Sequence, residues 1–275
     1  MSYRTLMATS IPGRANAPML EATAAIAGKL LAGVIGIAAC RPIHCVCRDY
    51  VIPAVVFEQD RKQIERQIHE AELEFRAAMV GLAGSIDWRA HTCLEPIAAQ
   101  LAEESVSADL IVAGLDAPGR PVDATRQPDL CDLVMQAGRP VLLVAASRPT
   151  TAFDRMLIAW KDTREARRAV ADALPLLAKA TSVMVVAIVD SGGGADAGSG
   201  VARVSAWLGR HGIAAETRVE PSRTANAPQL TAIAREMKAD LIVAGAYGHS
   251  RQGQWVLGGI TSELLGGNQC ALLSH

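Results

Sequence analysis

Gly245-Ala246-Tyr247-Gly248, nine residues from His249 to Leu257, then Gly258-Gly259-Ile260-Thr261 form the stretch of this chain best suited to hold a ligand. The spacing is G-x2-G-x9-G, directly after the apolar run Leu241 to Ala244. Glycines at a strand end let the backbone approach a ligand with no Cβ in the way. Gly258 and Gly259 would offer free N–H groups at the start of a helix, where the dipole favours phosphate. Thr261 adds a hydroxyl donor. His249 and Arg251 sit within the loop, where each could meet an anion or face water. From spacing alone the same glycines serve equally well as tight turns.

The elements that must position this loop are visible through an internal repeat. Ala-Asp-Leu-Ile-Val-Ala-Gly occurs at Ala108 to Gly114 and again at Ala239 to Gly245, an offset of 131 (239 minus 108). An identical run of seven marks a tandem duplication. Arg4 to Ala8 matches Arg155 to Ala159, and Arg139 to Leu143 matches Gln269 to Leu273. The offset shrinks along the chain, so the first copy is longer, and its excess lies before Ala108. Residues 1–150 and 151–275 are therefore read as two domains, each large enough to bury its own core.

Within each copy, short apolar runs alternate with helical patterns. In the second, Arg155 to Trp160 predicts a strand and Arg164 to Ala180 an amphipathic helix, capped by Asp162 or Thr163. Ser182 to Val189 reads as a strand covered on both faces. A Gly-rich loop, Gly192 to Gly200, precedes a helix from Val201 to Arg210. Then come strand Ala214 to Val219, helix Ala227 to Met237, strand Leu241 to Ala244, a helix ending near Leu265 and strand Cys270 to Leu273. Strands alternating with helices imply right-handed crossovers and, in each copy, a five-stranded, mainly parallel, doubly wound sheet. The extra length of the first copy fits a loop, Arg41 to Phe57, and a long charged helix, Glu58 to Val80, with a solvated face.

Composition excludes several classes. The chain is 50% hydrophobic and 20% charged, with a formal net charge of −1, so nothing draws it to nucleic acids or anionic membranes. The apolar stretch Leu30 to Cys40 is about half the roughly 20 residues a bilayer requires, and reads as a helix end running into a buried strand. No signal pattern precedes the strand expected at Tyr3 to Ala8, and six cysteines without secretory context point to reduced thiols in a cytoplasm. Cys40, His44, Cys45 and Cys47 crowd one segment, but lack metal-knuckle spacing and a second ligand pair. No nucleophile elbow, zinc helix or carboxylate pair stands out, so no catalytic residue is assigned.

The glycine loop, the strand phrase Ala-Asp-Leu-Ile-Val-Ala-Gly and the closing Ala271-Leu272-Leu273-Ser274-His275 together resemble the universal stress protein family, in its tandem form and over nearly the whole chain. The resemblance implies an adenine nucleotide alpha hydrolase-like fold whose copies pair through their final strands. It implies stress-linked regulation by a bound adenine nucleotide such as ATP, with Mg as the only metal and slow hydrolysis at most. Carried over, Gly245, Gly248, His249, Gly258, Gly259, Ile260 and Thr261 would surround the phosphates, and Ala159, Trp160 and Lys161 the base. Three positions depart from the family pattern. Gly259 stands where Ser or Thr is usual, Tyr247 where His is common, and Lys161 where an Asp meets adenine. Lysine donates but cannot accept. In the first copy Ala117 replaces the second glycine, and Gln127 or Pro128 the third. These departures leave two alternatives: an adaptor working through protein contacts, as an internal pseudo-dimer or a homodimer, or a sensor of another small anion.

Overall fold

The structure is a computed structural model that describes residues 2–46, 53–82, 84–116, 119–147, 152–189, 194–223, 225–246, 259–266 and 269–275. The first half runs β1 (Thr5–Ser10), α1 (Ala17–Leu30), β2 (Gly33–Cys40), α2 (Ile43–Val46), α3 (Ala54–Ala78), β3 (Ile86–Thr92), α4 (Ile97–Glu104), β4 (Leu110–Leu115), α5 (Leu130–Gln136) and β5 (Val141–Ala145). The second runs β6 (Arg155–Ala159), α6 (Arg164–Leu177), β7 (Ser182–Val189), α7 (Gly194–Arg210), β8 (Ala215–Pro221), α8 (Asn226–Glu236), β9 (Leu241–Gly245), α9 (Gly259–Leu265) and β10 (Ala271–Ser274).

All the strands join one ten-stranded sheet in the order β3-β2-β1-β4-β5-β10-β9-β6-β7-β8. Each half contributes five strands, parallel throughout and in the same internal order, as the alternating pattern predicts. The halves meet at a single antiparallel pair, β5 with β10, in the register Ala271↔Leu143, Leu272↔Leu142 and Leu273↔Val141. Central strands are apolar on both faces because helices cover both: every residue of β2 and β5 is buried. The outermost strands β3 and β8 are half exposed and carry Asp87, Arg89, Glu216, Arg218 and Glu220, charges that discourage edge-to-edge pairing.

Local chemistry sets the helix starts. Thr163 caps α6, its hydroxyl accepting from the Ala166 N–H at 3.3 Å, while Asp162 is engaged by Arg167 instead. Pro175 falls in the last turn of α6, which ends at Leu177. The main departure from the sequence reading is α7, which begins at Gly194 and not at Val201. Ala195 and Ala197 in that stretch offset the helix cost of its glycines. Gly200 is inside the helix because the Trp160 indole lies against it, with Nε1 only 3.3 Å from where a Cβ would stand.

Helix α3 is longer than α7 and begins at Ala54, so it reaches farther over the carboxyl ends of the strands. One stripe of it is held rather than solvated. Asp60, Gln67 and Glu74, spaced by two turns each, bind the loops beneath them. Asp60 pairs with Arg126 at 3.1 Å, Gln67 accepts from Arg126 at 2.7 Å, and Glu74 accepts from the Asn16 N–H at 2.8 Å. Ile64, Ala71 and Phe75 bury the neighbouring stripe. The remaining charges face water, as the sequence suggests.

Candidate functional site

The carboxyl ends of β6 and β9 open into a cavity of about 720 Å³. These are adjacent strands, and the chain leaves β6 toward β7 on one side while β9 lies on the other. This is the switch point where an open α/β sheet forms a ligand crevice. The first turns of α6, α8 and α9 line the cavity through Arg164 to Ala166, Asn226 and Ala227, and Gly259 to Thr261. The amino ends of three helices thus border one space and their dipoles suit an anion, although Thr163 already holds the Ala166 N–H of α6.

Six of the ten residues singled out from sequence line this cavity: Ala159, Lys161, Gly245, Gly259, Ile260 and Thr261. Trp160 does not. Its side chain turns to the far side of the β6 end, into a second groove. Gly248, His249 and Gly258, with Tyr247, lie outside the described residues. At Gly259 a Cβ would meet nothing within 4 Å, so its position is open toward the cavity. Gly245 has a different reason to be glycine. A Cβ there would lie 2.5 Å from the Ala166 backbone N and 2.6 Å from the Glu165 carbonyl carbon. The strand end packs directly on the first turn of α6.

The cavity wall carries one buried charge that sequence reasoning missed. Glu165 is only 4% exposed. Burial pushes its carboxyl up, but a backbone N–H, the Thr163 hydroxyl, Arg164 and His275 outweigh it and hold Glu165 below the usual carboxylate range. The Arg164 guanidinium lies 3.4 Å away and is largely exposed at the mouth. Lys161 is also exposed and makes no ion pair among the described residues. Glu165 is committed to the protein and shares Arg164, which leaves Lys161 as the cation at this cavity that makes no ion pair among the described residues. Asn226 and Ala227 were missed too. Pro228 signals the start of α8, but only the sheet order puts that start beside β9. The His275 ring contacts the Ala246 carbonyl at 3.1 Å and steadies the strand end that leads into the glycine loop.

The corresponding cleft of the first half is smaller, about 340 Å³, and two of its lining residues, Asp116 and Gln127, are engaged by Arg14. Arg14 donates to Asp116 at 2.6 Å, to Gln127 at 3.0 Å and to the Pro121 carbonyl at 3.2 Å. Asp129 caps α5, accepting from the Cys131 and Asp132 N–H groups at 2.8 and 3.1 Å. Those are the donors a phosphate would need, and a carboxylate already holds them. Among the described residues no group of three or more His, Cys, Asp or Glu could hold a metal ion. Cys40, Cys45 and Cys93 are free, and Cys47 lies outside the described residues. Burial, opposed in part by Arg126, pushes the Cys40 thiol up to about 12, leaving it unreactive at neutral pH.

Fold and cavity together define a duplicated, doubly wound α/β protein of the adenine nucleotide alpha hydrolase-like type. The solved structures it matches include universal stress proteins, and the chain has their fold over nearly its whole length. One from Archaeoglobus fulgidus superimposes with a TM-score of 0.71 at 13% identity, covering 98% of this chain and 97% of the other. A functionally unknown protein from Pseudomonas aeruginosa PAO1 gives 0.59 at 15% identity, covering 99% and 92%. No family model and no curated protein matches the sequence. Among the described residues no helix is long and apolar enough to cross a membrane.

Proposed function

We propose that the chain is a tandem universal stress protein of the cytoplasm, built of domains 1–150 and 151–275, whose second domain binds an adenine nucleotide as a regulatory ligand. The observation that carries this reading is the cavity at the β6 and β9 ends, where three helix amino termini and Lys161 converge while the Glu165 carboxylate is held by Thr163 and Arg164. Its volume lies within the roughly 300–1,000 Å³ of small-molecule sites. Gly259, Ile260 and Thr261 would hold phosphate oxygens through backbone N–H groups and one hydroxyl, with Gly248, His249 and Gly258 completing the loop. Ala159 and Lys161 would border the base. Magnesium would come bound to the phosphates, since Glu165 is already engaged. The first domain, where Arg14 engages Asp116 and Gln127 and Asp129 caps α5, would serve as a structural partner. The exposed ammonium of Lys161, where an acceptor for adenine would be expected, favours a second reading: a sensor of a smaller oxyanion.

Mass spectrometry of small molecules released from gently purified, then denatured, protein separates these readings. Stoichiometric ATP, ADP or AMP supports the nucleotide. A different anion supports the second reading. Titration with ATP then tests the site: Gly259→Asp, whose side chain enters open space, should weaken binding at least tenfold without unfolding the protein. Unchanged affinity in that variant would refute the assignment.

A further inference from the structure

The groove into which Trp160 turns is separate from the cavity and has no part in the proposed nucleotide site. It encloses about 410 Å³ between α6 and α7, lined by Trp160, Asp162, Arg167, Val170, Gly200, Arg203, Val204 and Trp207. Val170 and Val204 are buried and form its apolar base. Trp160 and Trp207 are each only partly covered, so two indoles present ring surface to one small volume. Trp207 packs against His211, edge-on with ring centroids 4.6 Å apart. Gly200 keeps the space open beside the Trp160 Nε1. Aromatic walls of this kind favour a flat apolar guest through stacking.

The rim sets the charge of that guest. Arg167 donates twice to one oxygen of Asp162, at 2.9 and 2.7 Å, and Arg203 lies 3.5 Å from the other. One carboxylate faces two guanidinium groups, which leaves the rim cationic. Arg203 is largely exposed and only loosely held, free to turn onto a ligand carboxylate in the bidentate geometry guanidinium prefers. The lining from α7 is mid-helix, where backbone N–H groups are consumed within the helix. The groove therefore lacks the donor cluster that a polyphosphate needs, and suits a single negative charge.

We propose that this groove binds a small planar aromatic anion, its ring between Trp160 and Trp207 and its carboxylate on Arg203. Titration of the full chain with 2-naphthoate, followed by tryptophan fluorescence and calorimetry, tests it. The expected result is saturable one-to-one binding, at least tenfold weaker for the uncharged analogue 2-naphthylmethanol and not displaced by ATP. Gly200→Leu should fill the groove and abolish binding. Arg203→Glu, at an exposed position that leaves folding intact, should weaken 2-naphthoate at least tenfold while changing the neutral analogue little. Absence of saturation at millimolar 2-naphthoate, equal affinity for both probes, displacement by ATP, or unchanged affinity in Arg203→Glu would each overturn the proposal.

Discussion

Gly245 shows how one residue can look functional and be structural. It opens the glycine spacing, yet its lack of a Cβ is required by α6, whose backbone stands 2.5 Å from the position a Cβ would take. Gly245→Ala should therefore destabilise the fold by about 1–3 kcal/mol, as over-packing does, seen as a lowered denaturation midpoint. An unchanged midpoint would show that the strand end yields freely. Cys40 makes a second residue-scale prediction. Its thiol is held neutral in the fold up to about 12 by burial, whereas an unfolded thiol ionises near the ordinary value of 9.0. Between those values the unfolded chain holds fewer protons than the folded one, so stability falls as pH rises. The slope from this one group approaches roughly 1.4 kcal/mol per pH unit. Tyr3 is also pushed up, first by burial and then by Asp172 and Asp109, so wild-type protein loses stability from both groups at high pH. Denaturation of Cys40→Ala across this window should lack the thiol's share, and an unaltered slope would contradict the assignment.

At the scale of elements, the extra length of the first copy becomes a clamp. The amino half of α3 is tied to the loop below through the Asp60–Arg126 pair, whose side chains are 13% and 6% exposed. Removing one partner strands the other as a buried charge, so Arg126→Ala should cost roughly 3 kcal/mol. Proteolysis within the first turns of α3 should quicken in parallel, and a variant as resistant as the parent would dissociate the clamp from that pair. In the second half the comparable device is a single cap. Thr163→Ala should lose about 1 kcal/mol. Because α6 lines the cavity with its first turn, the same change should also weaken any ligand held there. The alternation of apolar runs was enough to read these helices and strands, and the Ala/Gly stretch before Val201 was misread for a definite reason. Glycine content argues for a loop locally, but packing of Gly200 on Trp160 repays its place in a helix.

For the whole molecule the decisive feature is the continuity of the sheet. Only three residue pairs of β5 and β10 bridge the halves in the ladder, but all six of those residues are buried. Side chains add to the seam. Arg168 of α6 donates to the Gly138 carbonyl and to His275 at 2.7 Å each, and Lys29 pairs with Asp154 at 2.8 Å. The halves should unfold together. Leu272→Ala, at the centre of the seam, should cost about 2–5 kcal/mol. Trp88 and Trp207 report on opposite halves, and their transitions should remain superimposed in the parent protein. Separate transitions there would mean that the two cores are independent.

The repeat and the order of strands and helices were readable in one dimension, because both rest on local periodicity and on a phrase written twice. Which side of β6 each neighbour of Ala159 would face was not. Trp160 and Lys161 are consecutive, and a sheet end sends consecutive side chains to opposite faces, so one lines the cavity and the other a separate groove. Nor could the chain alone reveal Glu165 and Asn226 at the cavity or Arg14 on Asp116 and Gln127 of the first cleft. Those residues meet the strand ends only after crossover helices return over the sheet. Tertiary packing decided that the second copy would keep the larger crevice, about 720 Å³ against about 340 Å³ in the first.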